Sequence, residues 1–249
     1  MPVMLPTLPL KKLVVEVRYK PELAFYTRMD AVGTELADHY PDWVRSPLTV
    51  EVRNKKKHQR VFLSHQRTFY EADLARPDPM QEFGHAEETL AKICSRLSLT
   101  AVARLGVRQW FACDLEKSFA CMVDEFAARF LSNGEDVATI LTDRMSDMLF
   151  VRDCETSDGW KYRLALSPMT KEQWFQTVGY EQNLFELPEE ENATATFDDF
   201  RSTLPETFLF LDIDCFQEDV AVNQVKELMA TFRRRSHELA KKLIEFCRR

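Results

Sequence analysis

The stretch TFLFLDIDCFQEDV, residues 207 to 220, sets two carboxylates two positions apart in an otherwise apolar run. On an extended strand alternate side chains share a face. Asp212 and Asp214 would then stand with Phe208, Phe210 and Phe216, the two carboxylates about 6.5 to 7 Å apart along the chain, with Leu209, Leu211, Ile213 and Cys215 opposite. Such a pair can supply hard oxygen ligands to Mg²⁺ or Mn²⁺, with Glu16 or Glu51 as a third, which is the chemistry of a metal-dependent hydrolase or nucleotide-processing enzyme.

The alternative is that these carboxylates are partnered by cations of neighbouring strands, because a carboxylate leaving water costs several kcal/mol unless it is paired. Arg18, Arg53, Arg104 and Arg108 each lie in a strand-like run, and Arg104, Arg108 and Trp110 share one face of theirs. An ion network of this kind is the expectation. A ligand pocket formed by Arg104, Arg108, Trp110, Asp212 and Asp214 is the second reading, in which the guanidinium groups grip an anion or nucleotide in bidentate fashion.

Other chemistry is thin. There is no G-x-G-x-x-G, G-x-x-x-x-G-K-[ST], G-x-S-x-G or H-E-x-x-H. His39, His58, His65, His85 and His237 show no ligand-like spacing, and the six cysteines fall mostly in apolar runs without a C-x-x-C pair. No metal, no cofactor and no catalytic residue is expected.

The elements that must position these residues follow from periodicity. LVVEVRY (13 to 19) alternates as a half-exposed strand, a helix spans 22 to 39, LTVEVRN (48 to 54) echoes the first strand, and RVFLSHQRTFYEAD (60 to 73), after the basic turn NKKKHQ, supplies one long strand or a kinked pair. A helix over 80 to 97 precedes a long strand over 99 to 114, whose Gly106 suggests a bulge or a close backbone approach. A second cycle of helix (115 to 131) and strands (136 to 153, 160 to 167) leads to the last strand and a helix over 220 to 247. The predicted class is α+β: two ferredoxin-like, split βαβ halves with mainly antiparallel sheets and a long C-terminal helix. The halves divide at residues 98 and 99, and the second carries an acidic insertion over 181 to 206.

Net charge is −7, yet residues 221 to 249 hold eight Lys/Arg against three Glu, a local balance of +5 on an acidic body. An acidic body disfavours nucleic-acid binding except through the terminal helix. That helix carries an apolar stripe through Val225, Leu228 or Met229, Phe232, Leu239, Leu243 and Phe246, interrupted by Ser236, with Glu218 and Asp219 expected at its start. Phe232, Arg233, Arg234, Arg235 and Leu239 are the candidate partner-binding residues, and a coiled-coil homodimer is compatible with the stripe. The opening MPVMLPTLPLKKL is unlike a secretory signal, and no run approaches the ~20 apolar residues of a membrane span. A cytoplasmic protein without membrane contact is expected.

LPLKKLVVEVRYKP, ARLGVRQW and FLFLDIDCF followed by a long helix resemble a sporadically distributed prokaryotic family of uncharacterised proteins. Its members carry an early E-V-R-[FY] strand, a central R-x-G-[LV]-R strand and a terminal D-x-D strand; RQW stands here where similar proteins tend to show RYIN. The resemblance covers nearly the whole chain and transfers no catalytic residue. Its patchy occurrence implies accessory genes, such as mobile-element or antiviral-defence cassettes including CRISPR-linked operons. The expected function is a non-enzymatic accessory or regulatory protein that acts through protein–protein binding.

Overall fold

Period-two alternation and helical apolar stripes together build a sheet with its longer helices laid on one side. A computed structural model describes residues 8–21, 23–74, 79–130, 146–177 and 200–248. The elements run β1 (Leu10–Arg18), α1 (Ala24–Leu36), β2 (Asp42–Arg45), β3 (Thr49–Asn54), β4 (Gln59–Ser64), β5 (Arg67–Asp73), α2 (Pro79–Arg96), β6 (Ala101–Cys113), α3 (Phe119–Phe130), β7 (Phe150–Glu155), β8 (Lys161–Thr170), α4 (Lys171–Thr177), β9 (Thr207–Ala221) and α5 (Val225–Arg248). Among the described residues, no helix is long and apolar enough to cross a membrane.

Among the described residues, all nine strands join one sheet in the order β2-β3-β4-β5-β1-β6-β9-β8-β7. Every neighbouring pair is antiparallel. The class is therefore mixed α and β, with one large antiparallel sheet and a long C-terminal helix. Both expected halves contribute to it, and the long strands β6 and β9 lie side by side in its middle. A split βαβ unit built from β6 to β9 would place β6 between β9 and β8. Here β9 takes that middle place instead, and its paired runs with β6 and β8 bury the strand on both edges.

One face of the sheet is the core. Leu13, Val15 and Val17 of β1, Leu105, Val107 and Phe111 of β6, and Leu209, Leu211, Ile213 and Cys215 of β9 are all buried in a single apolar cluster, which α1, α2, α3 and α5 cover. Helix α5 turns Val225, Met229, Phe232, Ser236, Ala240, Ile244 and Cys247 inward, at steps of three and four residues. The inward stripe thus runs through Ser236. A serine is tolerated there because its hydroxyl donates to the Phe232 carbonyl at 2.8 Å and meets the Cys215 Sγ at 3.1 Å. Leu239 and Leu243 sit half-buried at the border of the stripe, and Phe246 is 46% exposed.

Several local expectations change. Residues 42 to 45, read as a break after α1, form edge strand β2, and Trp43 packs its indole on α1 at Gly33. A Cβ at Gly33 would lie 2.2 Å from that ring, so glycine is what admits the indole. Residues 60 to 73 are two strands, β4 and β5, joined as a hairpin. Strand β9 continues to Ala221, so Glu218 and Asp219 belong to the strand and not to the start of the last helix. Gly106 lies in regular register with both neighbours; the irregularity of this region is at Leu10 and Lys12 of β1. Residues 136 to 145 of the strand predicted over 136 to 153, and most of the acidic insertion, lie outside the described residues, and the rest of that strand is seen as β7 from Phe150. The insertion's end, Phe200 and Leu204, is buried on the sheet face opposite the helices.

Candidate functional site

Along β9 the face opposite the helices reads Phe208, Phe210, Asp212, Asp214, Phe216, as alternation requires. Its first part is covered. Phe208 and Phe210 pack with Trp174 of α4, Phe200, Leu204, Met169 and Ala112, and Trp110 closes this second cluster edge-on against Trp174, ring centroids 6.0 Å apart. Where that cover ends, the charged residues begin.

The three stretches that carry the family resemblance occupy adjacent strands β1, β6 and β9, and their charges meet. Arg108 forks onto Asp212, with Nε donating to Oδ1 at 2.8 Å and Nη2 to Oδ2 at 2.5 Å. Arg104 donates from Nη2 to Asp214 Oδ2 at 2.9 Å and from Nη1 to Glu16 Oε1 at 3.3 Å. Glu16 also accepts from Arg18 Nε at 2.5 Å. Arg104 reaches Asp214 by lying along β6 over Gly106, which directly opposes Phe216, and its guanidinium stacks on that ring at 4.2 Å. Arg108 likewise lies over Trp110 at 5.0 Å. The aspartate pair is thus neutralised by arginines of the neighbouring strand, and Arg104, Arg108, Trp110, Asp212 and Asp214 are brought together.

Electrostatics follow from this packing. Burial pushes the Asp214 carboxyl above its ordinary range; Arg104 and Arg108 oppose that shift, and Asp212 adds to it. The hydrogen bonds to Asp212 hold Arg108 above its ordinary value. Neither arginine has a free fork for an anion, because each would have to leave a carboxylate first. Glu51 is not part of this group. It belongs to β3, where it accepts from Arg53 at 2.6 Å, so neither Arg18 nor Arg53 reaches the aspartates. Among the described residues, no three or more His, Cys, Asp or Glu side chains converge as a metal-binding set.

The charge lattice extends beyond the residues that the sequence singles out. Lys12 bonds Glu71 at 2.6 Å, lies 3.5 Å from Asp73 and sits over the Trp110 ring at 4.8 Å. Arg60 donates to Glu71 at 2.8 Å and stacks on Phe69, and Arg67 lies over Phe62 at 5.3 Å. On the other side Lys161 of β8 takes Glu218 at 2.8 Å. Burial raises the Asp73 carboxyl to about 6, with Lys12 pulling it down and Glu71 pushing it up. Glu71, although burial opposes it, is held below the usual range by Lys12 and Arg60. Phe69, Glu71 and Asp73 could have been placed on this face by carrying the alternation of RTFYEAD to its end. Lys12 was legible as the next even position before Val14.

Beside Arg108 and Trp110 the edge of α4 leaves a cleft of about 300 Å³, lined also by Asp147, Ser167, Gln173 and Asp212. The Trp110 indole N–H is buried there without a hydrogen-bond partner among the described residues. With Asp147 and Asp212 set against a single arginine, the cleft does not favour anions.

The candidate partner-binding residues of α5 do not form one surface. Phe232 is 0% exposed and belongs to the core, so it is unavailable to a partner. Arg233 turns toward α2 and stacks on Phe83 at 5.4 Å, whereas Arg235 turns toward the β7–β8 hairpin, bonding Asp158 at 2.5 Å and lying over Trp160 at 4.6 Å. Of the five, only Arg234 is exposed, and Leu239 is half-buried. The apolar seam that a coiled coil would need is, among the described residues, turned into the core on this helix. Two histidines isolated in the sequence do meet: the His39 and His85 rings lie 4.0 Å apart, and His85 Nε2 bonds the Tyr40 hydroxyl at 2.9 Å. Compared with protein families and with curated proteins, the chain matches none.

Proposed function

We propose that this chain is a non-catalytic binding module that docks a protein partner on the sheet face opposite its helices. One observation carries the reading. The charged groups of that face are already paired with one another and stacked on aromatic rings, giving an ordered surface whose charges alternate in sign. Such a surface has little side-chain freedom left to lose on association, and it suits a partner of complementary charge pattern. It suits a phosphate backbone poorly, because its cations are matched by carboxylates. The metal-dependent alternative would require Asp212 and Asp214 to give up their arginines.

The finer fold reading belongs to the same proposal. The order β4-β5-β1-β6, with α1 and α2 on one side, is that of a split βαβ unit, and it supports a ferredoxin-like first half extended by β2 and β3. The convergence of Glu16, Arg104, Arg108, Asp212 and Asp214 supports the family resemblance, since the three short motifs would then encode one shared surface. Accessory operons of the kind that the resemblance implies are the place to seek the partner.

The test is photo-crosslinking in the native host. A photoreactive residue at Arg18 or Arg163, both on the proposed face, is expected to give a discrete adduct, whereas one at Lys242 on α5 gives none. Adducts only from Lys242, or from none of the three positions, would refute the proposal.

A further inference from the structure

On the helical side, α2 and α5 diverge over β1 and β6 and leave a second cleft, of about 400 Å³. Its floor is apolar: Leu10 and Phe111, which oppose each other across β1 and β6, are each 1% exposed, and Phe83 of α2 is 4% exposed. One residue breaks the pattern. Gln109 lines the cleft, is 3% exposed, and is flanked across the sheet by Leu13 and Ile213. Among the described residues its Oε1 has no hydrogen-bond partner.

A buried amide oxygen with nothing to accept from costs stability, and a leucine at this position would match its neighbours. Gln109 lines the cleft, so the buried oxygen without a partner belongs to the cleft's wall. The rim supplies the other half of the specification. Arg234 and His237 are exposed at the mouth, and Arg233 adds its positive charge while stacked on Phe83. Among the described residues, Glu238 is the one carboxylate lining the cleft.

We propose that this cleft is a binding site for a small N-acyl amino acid. The acyl chain would lie on Leu10, Phe83 and Phe111, the amide N–H would donate to Gln109 Oε1, and the carboxylate would meet Arg234 and His237. A site with an apolar floor and a few convergent polar groups is the usual form of a small-molecule pocket, and the volume is within the usual range. The proposal is independent of the partner-docking face, which lies on the other side of the sheet.

The test titrates N-octanoylglycine into the intact protein by calorimetry, with octanoic acid lacking the amide and the methyl ester of N-octanoylglycine lacking the carboxylate. Saturable one-to-one binding of N-octanoylglycine is expected. Each truncated probe, and each of the variants Gln109→Leu and Arg234→Ala, should bind about tenfold more weakly or worse. Unliganded Gln109→Leu should melt at the same temperature as the parent protein or higher, which a structural glutamine would not allow. Absence of saturable N-octanoylglycine binding, equal binding by octanoic acid or by Gln109→Leu, or a lowered melting temperature for Gln109→Leu would each overturn the proposal.

Discussion

Replacing Asp73 by asparagine should stabilise the protein at neutral pH, although it removes a charge that faces a lysine. Asp73 is 4% exposed and, among the described residues, its Oδ2 has no hydrogen-bond partner. Among the described residues its only cation at salt-bridge distance is Lys12, which is 3.5 Å away and bonded more closely to Glu71 at 2.6 Å. The carboxyl titrates at about 6 in the folded chain, against an ordinary 3.8. For an acid whose folded value is raised, the folded state holds its proton longer than the unfolded chain does. Stability is then highest below the unfolded value and falls as pH rises through the folded one. A rise of this size corresponds to about 3 kcal/mol, lost between about pH 4 and about pH 6 and not regained above. Glu71 moves the opposite way and loses its contribution on acidification below its ordinary 4.5. His85, which burial lowers to about 4, gains as pH rises through the same range, so it is the difference between variant and parent that isolates Asp73. Asparagine mimics the protonated acid and removes the penalty. Urea denaturation across this range should show the Asp73→Asn protein more stable by about 3 kcal/mol at neutral pH, converging with the parent near pH 4. A variant less stable than the parent at neutral pH, or a difference between the two curves that stays constant between those values, would refute the reasoning and show that Lys12 holds Asp73 ionised.

Other substitutions separate packing from pairing. Phe232→Ala removes a ring with 0% exposure beneath α5 and should cost about 3 to 5 kcal/mol in denaturant melts, a stability loss rather than a binding defect. Gly106→Ala places a Cβ 3.6 Å from Asp214 Oδ1 and 3.8 Å from the Arg104 guanidinium, ordinary contacts, so its melting midpoint should stay near the parent's. Arg104→Met strands Asp214, whose side chain is only 24% exposed, while Glu16 keeps Arg18, and should cost roughly 1 to 3 kcal/mol. Adding Asp214→Asn to Arg104→Met should recover part of that loss, and a strictly additive double variant would show that the two side chains do not interact.

The pairing of Asp212 and Asp214 with arginines was legible because it needs only strand parity and the cost of unpaired burial. Once β6 and β9 are strands, Arg104, Arg108 and Trp110 fall on one face and the aspartates on one face of theirs. What parity cannot supply is which strands are neighbours. That β9 would enter between β6 and β8, and that β5 would bring Glu71 and Asp73 beside Lys12, depends on long-range pairing that no local pattern records. Strand β2 was hidden by Pro41 and by Trp43, whose place is set by a glycine ten residues earlier in α1. The terminal helix misled for a different reason. Its conspicuous large residues, Leu239 and Phe246, border the buried stripe, while Ser236 and Ala240 occupy it because small side chains let α5 approach the sheet closely.

Calorimetric titration of the intact protein with Mn²⁺ at neutral pH tests most directly whether the arginines have claimed the aspartate pair. Heats that show no saturable site, and that are the same for Asp212→Asn and Asp214→Asn, are the predicted result. A one-site isotherm in the parent protein that disappears in either variant would contradict it.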